Sequence, residues 1–385
     1  MSLDNLAQLA KRLDDHPIDA PVALVAPLAE RVLRESSALR ERLSAEEKAS
    51  ADPGALLLCI EAAASVRLEG EERYERAVVA YNEAISIAPS RGETYFDLSL
   101  AHKRRGNWRA SLDAAESARE LLGNEKRVLW NVAIAATALG LGEVARDAWR
   151  SLGIAATVED GGMPLVKGIP ECELRLATRG AGHEKSSIPN EAIGFEVVRV
   201  APLSPCHGVV ISPTNRAALA DYGDLVLWDG APVSVRDTAN GPVPVFPLLA
   251  LLRRGNEKRF PFVALVQDRA SLEAFAAELS PSAEVVVFEE RVEHVCPRCA
   301  AGETLTKHTH APAEDHRIVR GKILAGADTD LRLLRATVEL AQKRVASIAL
   351  AVPGLYEALG ETALAGKQHQ AWAGIERTGV KRLLS

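Results

Sequence analysis

The sequence predicts an α+β chain. An N-terminal all-α superhelix comes first, then a mixed, β-rich α/β module, then a helical C-terminal region. Three observations carry this prediction. A pattern of small and aromatic residues returns every 34 residues from Tyr74 onward. Runs of alternating or β-branched apolar residues follow up to Val295. From Ala327 the apolar positions return to helical spacing.

The first segment, residues 1–54, reads as helices. "LDNLAQLAKRLDD" is amphipathic, and "PVALVAPLAERVLRESSALRERLSAEE" keeps helical spacing until "SADPG" (Ser50 to Gly54) breaks it. Residues 55–155 hold the repeats. "YERAVVAYNEAISIAPS" begins at Tyr74, "WRASLDAAESARELLGN" at Trp108 and "GEVARDAWRSLGIAA" at Gly142. Ala77, Ser111 and Ala145 align, as do Tyr81, Ala115 and Trp149, with Gly106 and Gly140 at the turns.

Residues 156–325 form the mixed module. Its expected strands are "ECELRLATR", "FEVVRV", "HGVVIS", "RFPFVALVQD" and "AEVVVFEERVEHV", with "SLEAFAAEL" as a helix between the last two. "GDLVLWDGAPVSVRD" reads as a hairpin turning at Asp229-Gly230. Residues 326–385 form the helical end, opening on an Asp-capped helix in "DTDLRLLRATVELAQKR" and interrupted by a strand-like "VASIALAV".

Composition narrows the function. At 385 residues the chain is long enough for two or three domains. A net charge of -6 and aromatics at 4% speak against a nucleic-acid surface, which needs basic residues and stacking platforms. No run approaches the ~20 apolar residues of a membrane span. The N-terminus carries acids and no apolar core, so no secretory signal is expected. Five cysteines without framework spacing point to a reducing, cytoplasmic location.

A period of 34 with small residues at two helix crossings resembles the tetratricopeptide repeat, over about three repeats. The resemblance departs at Ser99 and Ala133, where the family has Gly, and at "GEERY", a two-residue insertion. It implies that the first helix of each repeat lines a concave groove. The positions carried over are Glu93, Phe96, Leu100 and Lys103 on one helix, and Arg127, Trp130, Ile134 and Thr137 on the next. Relatives that grip acidic tails use a clamp of Lys, Asn and Arg; here apolar residues hold the centre. The resemblance therefore implies an apolar peptide or helix as partner, or another segment of this chain. Packing of the groove on the N-terminal helices is the plainer alternative.

"CPRCAAGETLTKHTH" (Cys296 to His310) is the other cluster. Cys-x2-Cys turns two thiolates toward one ion, and histidines complete a tetrahedral set. "CPRC" is similar to a zinc knuckle, with Ala300 where Gly is usual and no second Cys pair downstream. The expected ligands of a structural Zn2+ are Cys296, Cys299, His308 and His310, with His316, His294, Cys206 or His207 as alternates. A redox pair and a plain exposed hairpin remain open. Catalytic spacing such as His-Glu-x-x-His is absent, as are a phosphate loop and a Gly-x-Ser-x-Gly elbow. In "SPCHG", Cys206 and His207 point to opposite strand faces unless the chain bends at Pro205. The expected function is an adaptor or scaffold that binds a protein or peptide, with a zinc-dependent enzyme sited in residues 160–325 as the alternative.

Overall fold

The computed structural model describes residues 2–16, 22–68, 70–158, 162–179, 194–238, 241–295, 314–345 and 347–378. They form helices first, a β-rich middle and a mostly helical end, divided into two units at residues 254 and 255. The expected module of residues 156–325 is therefore split between the units.

The first unit begins with α1 (Leu3–Asp14) and α2 (Val22–Arg42). Ser2 caps α1 by accepting from Asn5 N at 3.3 Å. A short α3 (Ala45–Lys48) starts on a capping box in which Ser44 and Glu47 satisfy each other's backbone donors. Then come α4 (Leu56–Val66), α5 (Glu71–Ile87), α6 (Gly92–Arg104), α7 (Trp108–Leu122), α8 (Lys126–Ala138) and α9 (Gly142–Ser151). Helices α6 and α8 start 34 residues apart, as do α7 and α9. The turns after α6 and α8 place Gly106 at φ +73° and Gly140 at φ +70°, a region that only glycine enters without strain. Leu6, Leu9, Leu13, Val25 and Val32 share a core with Leu57, Ile60 and Ala64. The N-terminal helices thus continue the helical layer onto α4.

A small ribbon, β1 (Thr157–Val158) with β2 (Pro164–Leu165), leads into a seven-stranded sheet. Its strands are β3 (Cys172–Arg179), β4 (Gly194–Ser204), β5 (His207–Val210), β6 (Ala217–Ala218), β7 (Leu225–Trp228), β8 (Ser234–Thr238) and β9 (Gly241–Arg253). Antiparallel pairing runs β3-β4-β5-β7-β9, and β9 then pairs β3 in parallel, closing a small barrel. Leu174, Leu176, Val198, Val200, Val210, Val226 and Trp228 fill it, at alternate positions along each strand. The expected hairpin at Asp229-Gly230 does not form: β7 and β8 both pair with β9, along its two halves.

The second unit is built from β10 (Lys258–Val266), α10 (Arg269–Leu279), β11 (Glu284–Val295), β12 (Glu314–Ala325), α11 (Leu331–Arg344) and β13 (Ile348–Ala351). The strands lie in the order β11-β12-β10-β13, all antiparallel, the ferredoxin-like split βαβ arrangement. Asp268 caps α10 and Asp330 caps α11. Both helices cover one sheet face through Phe275, Leu279, Leu334 and Val338. Two more helices, α12 (Pro353–Ala358) and α13 (Thr362–Thr378), close the described chain. Ile375 and Trp372 of α13 cover Val263, Leu265 and Ile318 on the opposite face.

Candidate functional site at the junction of helices and barrel

Helices α6 and α8 point a row of side chains at the barrel. The run "VLWNVAIAATA" makes α8 apolar on nearly every side, and Ala133, Ala135 and Ala136 are small enough for close approach. They share one core with Trp149 of α9 and with Cys206 and Leu227 of the barrel, against which Leu249, Ala250 and Leu252 also pack. The barrel therefore packs on the helices through a largely apolar interface.

A polar clamp sits inside it. Lys103 Nζ donates to Asn131 Oδ1 at 2.9 Å and pairs with Asp229 Oδ2 at 2.8 Å. Their side chains are almost sealed, at 3% exposure for Lys103 and 12% for Asp229. Asn131 Nδ2 donates to Ser99 Oγ at 3.0 Å, Ser99 Oγ to Phe96 O, and Ser111 Oγ to Ser99 O. Asp229 Oδ1 accepts from Ala231 N at 3.2 Å. Each buried charge is thus both paired and hydrogen-bonded, which a charge in such surroundings requires. Beside the clamp, Trp130 meets Trp149 edge to face at 4.7 Å. Gly230 lies under Trp130: a Cβ there would come within 2.6 Å of the indole ring.

The expected groove residues therefore divide. Lys103, Trp130 and Ile134 stand at the junction and face this chain's own barrel. Phe96, Leu100 and Arg127 lie toward the other side. Phe96 is buried against Ala118 and Val128, with the Arg127 guanidinium 4.7 Å above its ring. Arg127 also pairs with Glu93 at 2.5 Å and Glu125 at 2.9 Å, half exposed to solvent. The neighbouring Asp97 carboxyl is pushed up to about 7, chiefly by burial and then by Asp14 and Glu93, against the pull of Arg127 and Arg91.

Pro205 and Cys206 form a tight turn between β4 and β5, so the chain does bend there. The bend joins Ser204 to His207, Oγ to Nδ1 at 2.6 Å, rather than Cys206 to His207. Cys206 Sγ faces Ser204 Oγ at 3.6 Å and Thr137 Oγ1 of α8 at 3.7 Å. Cys206, His207 and Ser204 are all 0% exposed. Burial pushes the thiol up to about 12 and the imidazole down to about 4, so both stay neutral. A thiol held neutral and out of solvent is a poor nucleophile, and no substrate reaches it here.

The expectation of zinc is corrected. Among the described residues no group of three or more His, Cys, Asp or Glu is placed to hold a metal ion. Cys296, Cys299, His308 and His310 lie outside the described residues. The alternates drawn from the barrel are committed elsewhere: Cys206 is sealed at the junction, His207 is buried and bonded to Ser204, and the other described cysteines, Cys59 and Cys172, are buried in two further cores.

Sequence reasoning passed over Asn131 and Asp229. The signal for Asn131 was present, a lone amide in an apolar helix that needs a partner. Asp229 carried no such mark, because Asp before Gly reads as a turn. Among the described residues no helix is long and apolar enough to cross a membrane. Compared with family models and with curated proteins, the chain matches none of either.

Proposed function

We infer that this chain is an adaptor: a stack of tetratricopeptide-like helix hairpins that binds a protein partner and carries a barrel locked to one end of the stack. The observation that supports this reading most is the division of the concave face. Its far part, at Lys103, Trp130 and Ile134, holds the barrel in cis. Its near part, at Glu93, Leu100 and Arg127, keeps partly exposed side chains on a rigid helical frame. Stacked hairpins gain stability from their neighbours, so such a face offers binding area without further ordering cost. Of the polar groups that resemble a catalytic set, Ser204 and His207 bond each other within the barrel, and Cys206 reaches Thr137 across the seam between helices and barrel.

Site-specific photocross-linking tests the reading. A photoreactive residue at Leu100 is expected to capture a discrete protein in cells, and one at Leu219 on the barrel surface is not. The same adducts from both positions, or none from Leu100, would overturn it.

A further inference from the structure

A second feature of the helical layer has a ligand chemistry of its own. Between α2 and α5, over α4 as floor, lies an open cleft of about 510 Å³, within the ~300–1,000 Å³ range of ligand sites. Helical spacing brings its lining together: Leu33, Ser37 and Arg40 along α2, Glu61 and Ser65 one turn apart on α4, Arg73, Arg76 and Ala80 along α5. Lys48 closes one end from α3.

The charge balance is uneven. Four cations, Arg40, Lys48, Arg73 and Arg76, face two carboxylates, Glu41 and Glu61. Arg40 is already shared between Glu61 and Glu83, each at 3.2 Å, and Arg76 pairs with Glu72 at 2.6 Å. Arg73, half-buried, and Lys48, on the rim, have no hydrogen-bond or ion-pair partner among the described residues. On the floor, Ser65 is 7% exposed and its hydroxyl is likewise without a partner. A buried hydroxyl and an unpaired guanidinium lining one cleft leave donors unmet, and a carboxylate supplies what both lack.

We propose that this cleft binds an acidic segment of a protein partner, with one carboxylate taken by Arg73 and Ser65 and a second by Lys48. The assignment rests on the adaptor reading above. The chain as a whole carries a charge of -6, so a cluster of unpaired cations is a local reversal that steers an acidic segment to this place. The same overall charge disfavours a long polyanion, and no aromatic side chain lines the cleft for base stacking. The cleft is open rather than enclosed, which suits an extended segment lying between two helices. Leu33 and Ala80 offer apolar contact to residues flanking the acids.

The test uses the full-length chain and two fluorescein-labelled octapeptides, one alternating Leu and Glu, the other Leu and Gln. Anisotropy is read at ~0.15 M salt, where exposed charges are screened beyond about 8 Å. The Glu peptide is expected to bind, and the Gln peptide at least about tenfold more weakly. Arg73→Glu and Lys48→Glu should each weaken the Glu peptide about tenfold, while Arg109→Glu, the same charge change outside the cleft, changes it less than about twofold. Lys48 is exposed, so its reversal leaves the fold intact should Arg73→Glu disturb it. Equal binding of both peptides, unchanged affinity in both cleft variants, or displacement by single-stranded homopolymer RNA as readily as by unlabelled peptide overturns the assignment. If the peptide fails while Leu100 still cross-links a protein, the cleft assignment falls and the adaptor reading stands. Failure of both removes the adaptor reading as well.

Discussion

Asp229→Ala probes how the barrel is held on the helices. The substitution removes the one anion paired with Lys103 Nζ among the described residues; the lysine side chain is 3% exposed. At 2.8 Å, and with an effective dielectric near 20, the direct attraction between these charges is about 6 kcal/mol. Much of that offsets the desolvation of both groups. What the variant loses is the compensation, leaving a buried ammonium with Asn131 Oδ1 as its remaining acceptor among the described residues. Removing one partner of a buried pair costs roughly 3–5 kcal/mol. Against a typical total of about 5–15 kcal/mol, that is about a fifth or more of the stability of the first unit.

Urea unfolding at neutral pH, followed by tryptophan fluorescence, reads this directly. Trp108, Trp130, Trp149 and Trp228 all lie within residues 1–254, and two of them flank the clamp. Asp229→Asn keeps the volume and one acceptor, so its cost should be smaller, about 1.5–3 kcal/mol. Lys103→Met combined with Asp229→Ala removes both charges. The pair of changes should cost less than the sum of the single ones, by about 2 kcal/mol, because no charge is left stranded. A cost below about 1 kcal/mol for Asp229→Ala, or strict additivity in the double variant, would show that Lys103 finds water or another anion and that the clamp is not sealed.

Further expectations concern other parts of the chain. Asp97 holds its proton up to about pH 7, against an ordinary 3.8, so folding is favoured at low pH and loses stability as pH rises from about 4 to 7. Asp97→Asn should flatten that slope and stabilise the protein at pH 8, and an unchanged pH profile in the variant would refute it. His207 acts in the opposite sense. Its imidazole is held neutral down to about 4 rather than 6.5, so stability falls as pH drops through that window, and His207→Gln should lessen the loss seen by chemical denaturation. Gly106→Val forces a β-branched residue to φ +73° and should cost on the order of 1–3 kcal/mol, seen as a lower melting temperature. Gly230→Ala drives a methyl into Trp130, and Gly321→Ala drives one into Val286 O and Phe262; each should cost about 1–3 kcal/mol and lower the transition of its own unit, with unfolding monitored by hydrogen exchange.

How far the sequence could be read depended on what each segment has to satisfy. The helical layer was legible because a 34-residue period leaves small residues at helix crossings and Gly106 and Gly140 at the turns. Strands β3, β10 and β11 were legible from their apolar runs. Strand β9 was not, because Pro242, Pro244 and Pro247 suggest a loop. It is a strand all the same, the one that closes the barrel by pairing β3, β7 and β8. Strand β12 was hidden too, since Arg317, Arg320 and Lys322 interrupt its apolar pattern and Gly321 lies at its middle. Arg317 and Arg320 are matched by Glu290 and Glu289 on β11, a pairing across strands that only the register reveals. The division at residue 254 was also out of reach, because the strands on its two sides have similar composition.

The groove positions show why a motif is easier to place than to interpret. Repeat spacing leads one to expect Lys103 and Trp130 on an inner face of the helices; in the structure both meet the barrel, at Asp229 and Gly230. Spacing carries no information about what fills that face, because the filler, Trp228 to Ala231, is about a hundred residues away in sequence. Two features then act together at the junction. Apolar contacts among Ala133, Ala136, Leu227 and Ala250 supply the burial, but they are smooth and would tolerate a shift of the barrel. The Lys103–Asp229 pair and the close fit of Gly230 beneath Trp130 tolerate none, since a small slip strands a charge or drives backbone into an indole. The first makes the docking favourable and the second makes it unique. A lysine that could have gripped an acidic partner on this face is thus committed to a carboxylate of its own chain, and Asn131 is committed to that lysine and to Ser99. In the cleft between α2 and α5, by contrast, Arg73 and Lys48 have no such carboxylate among the described residues.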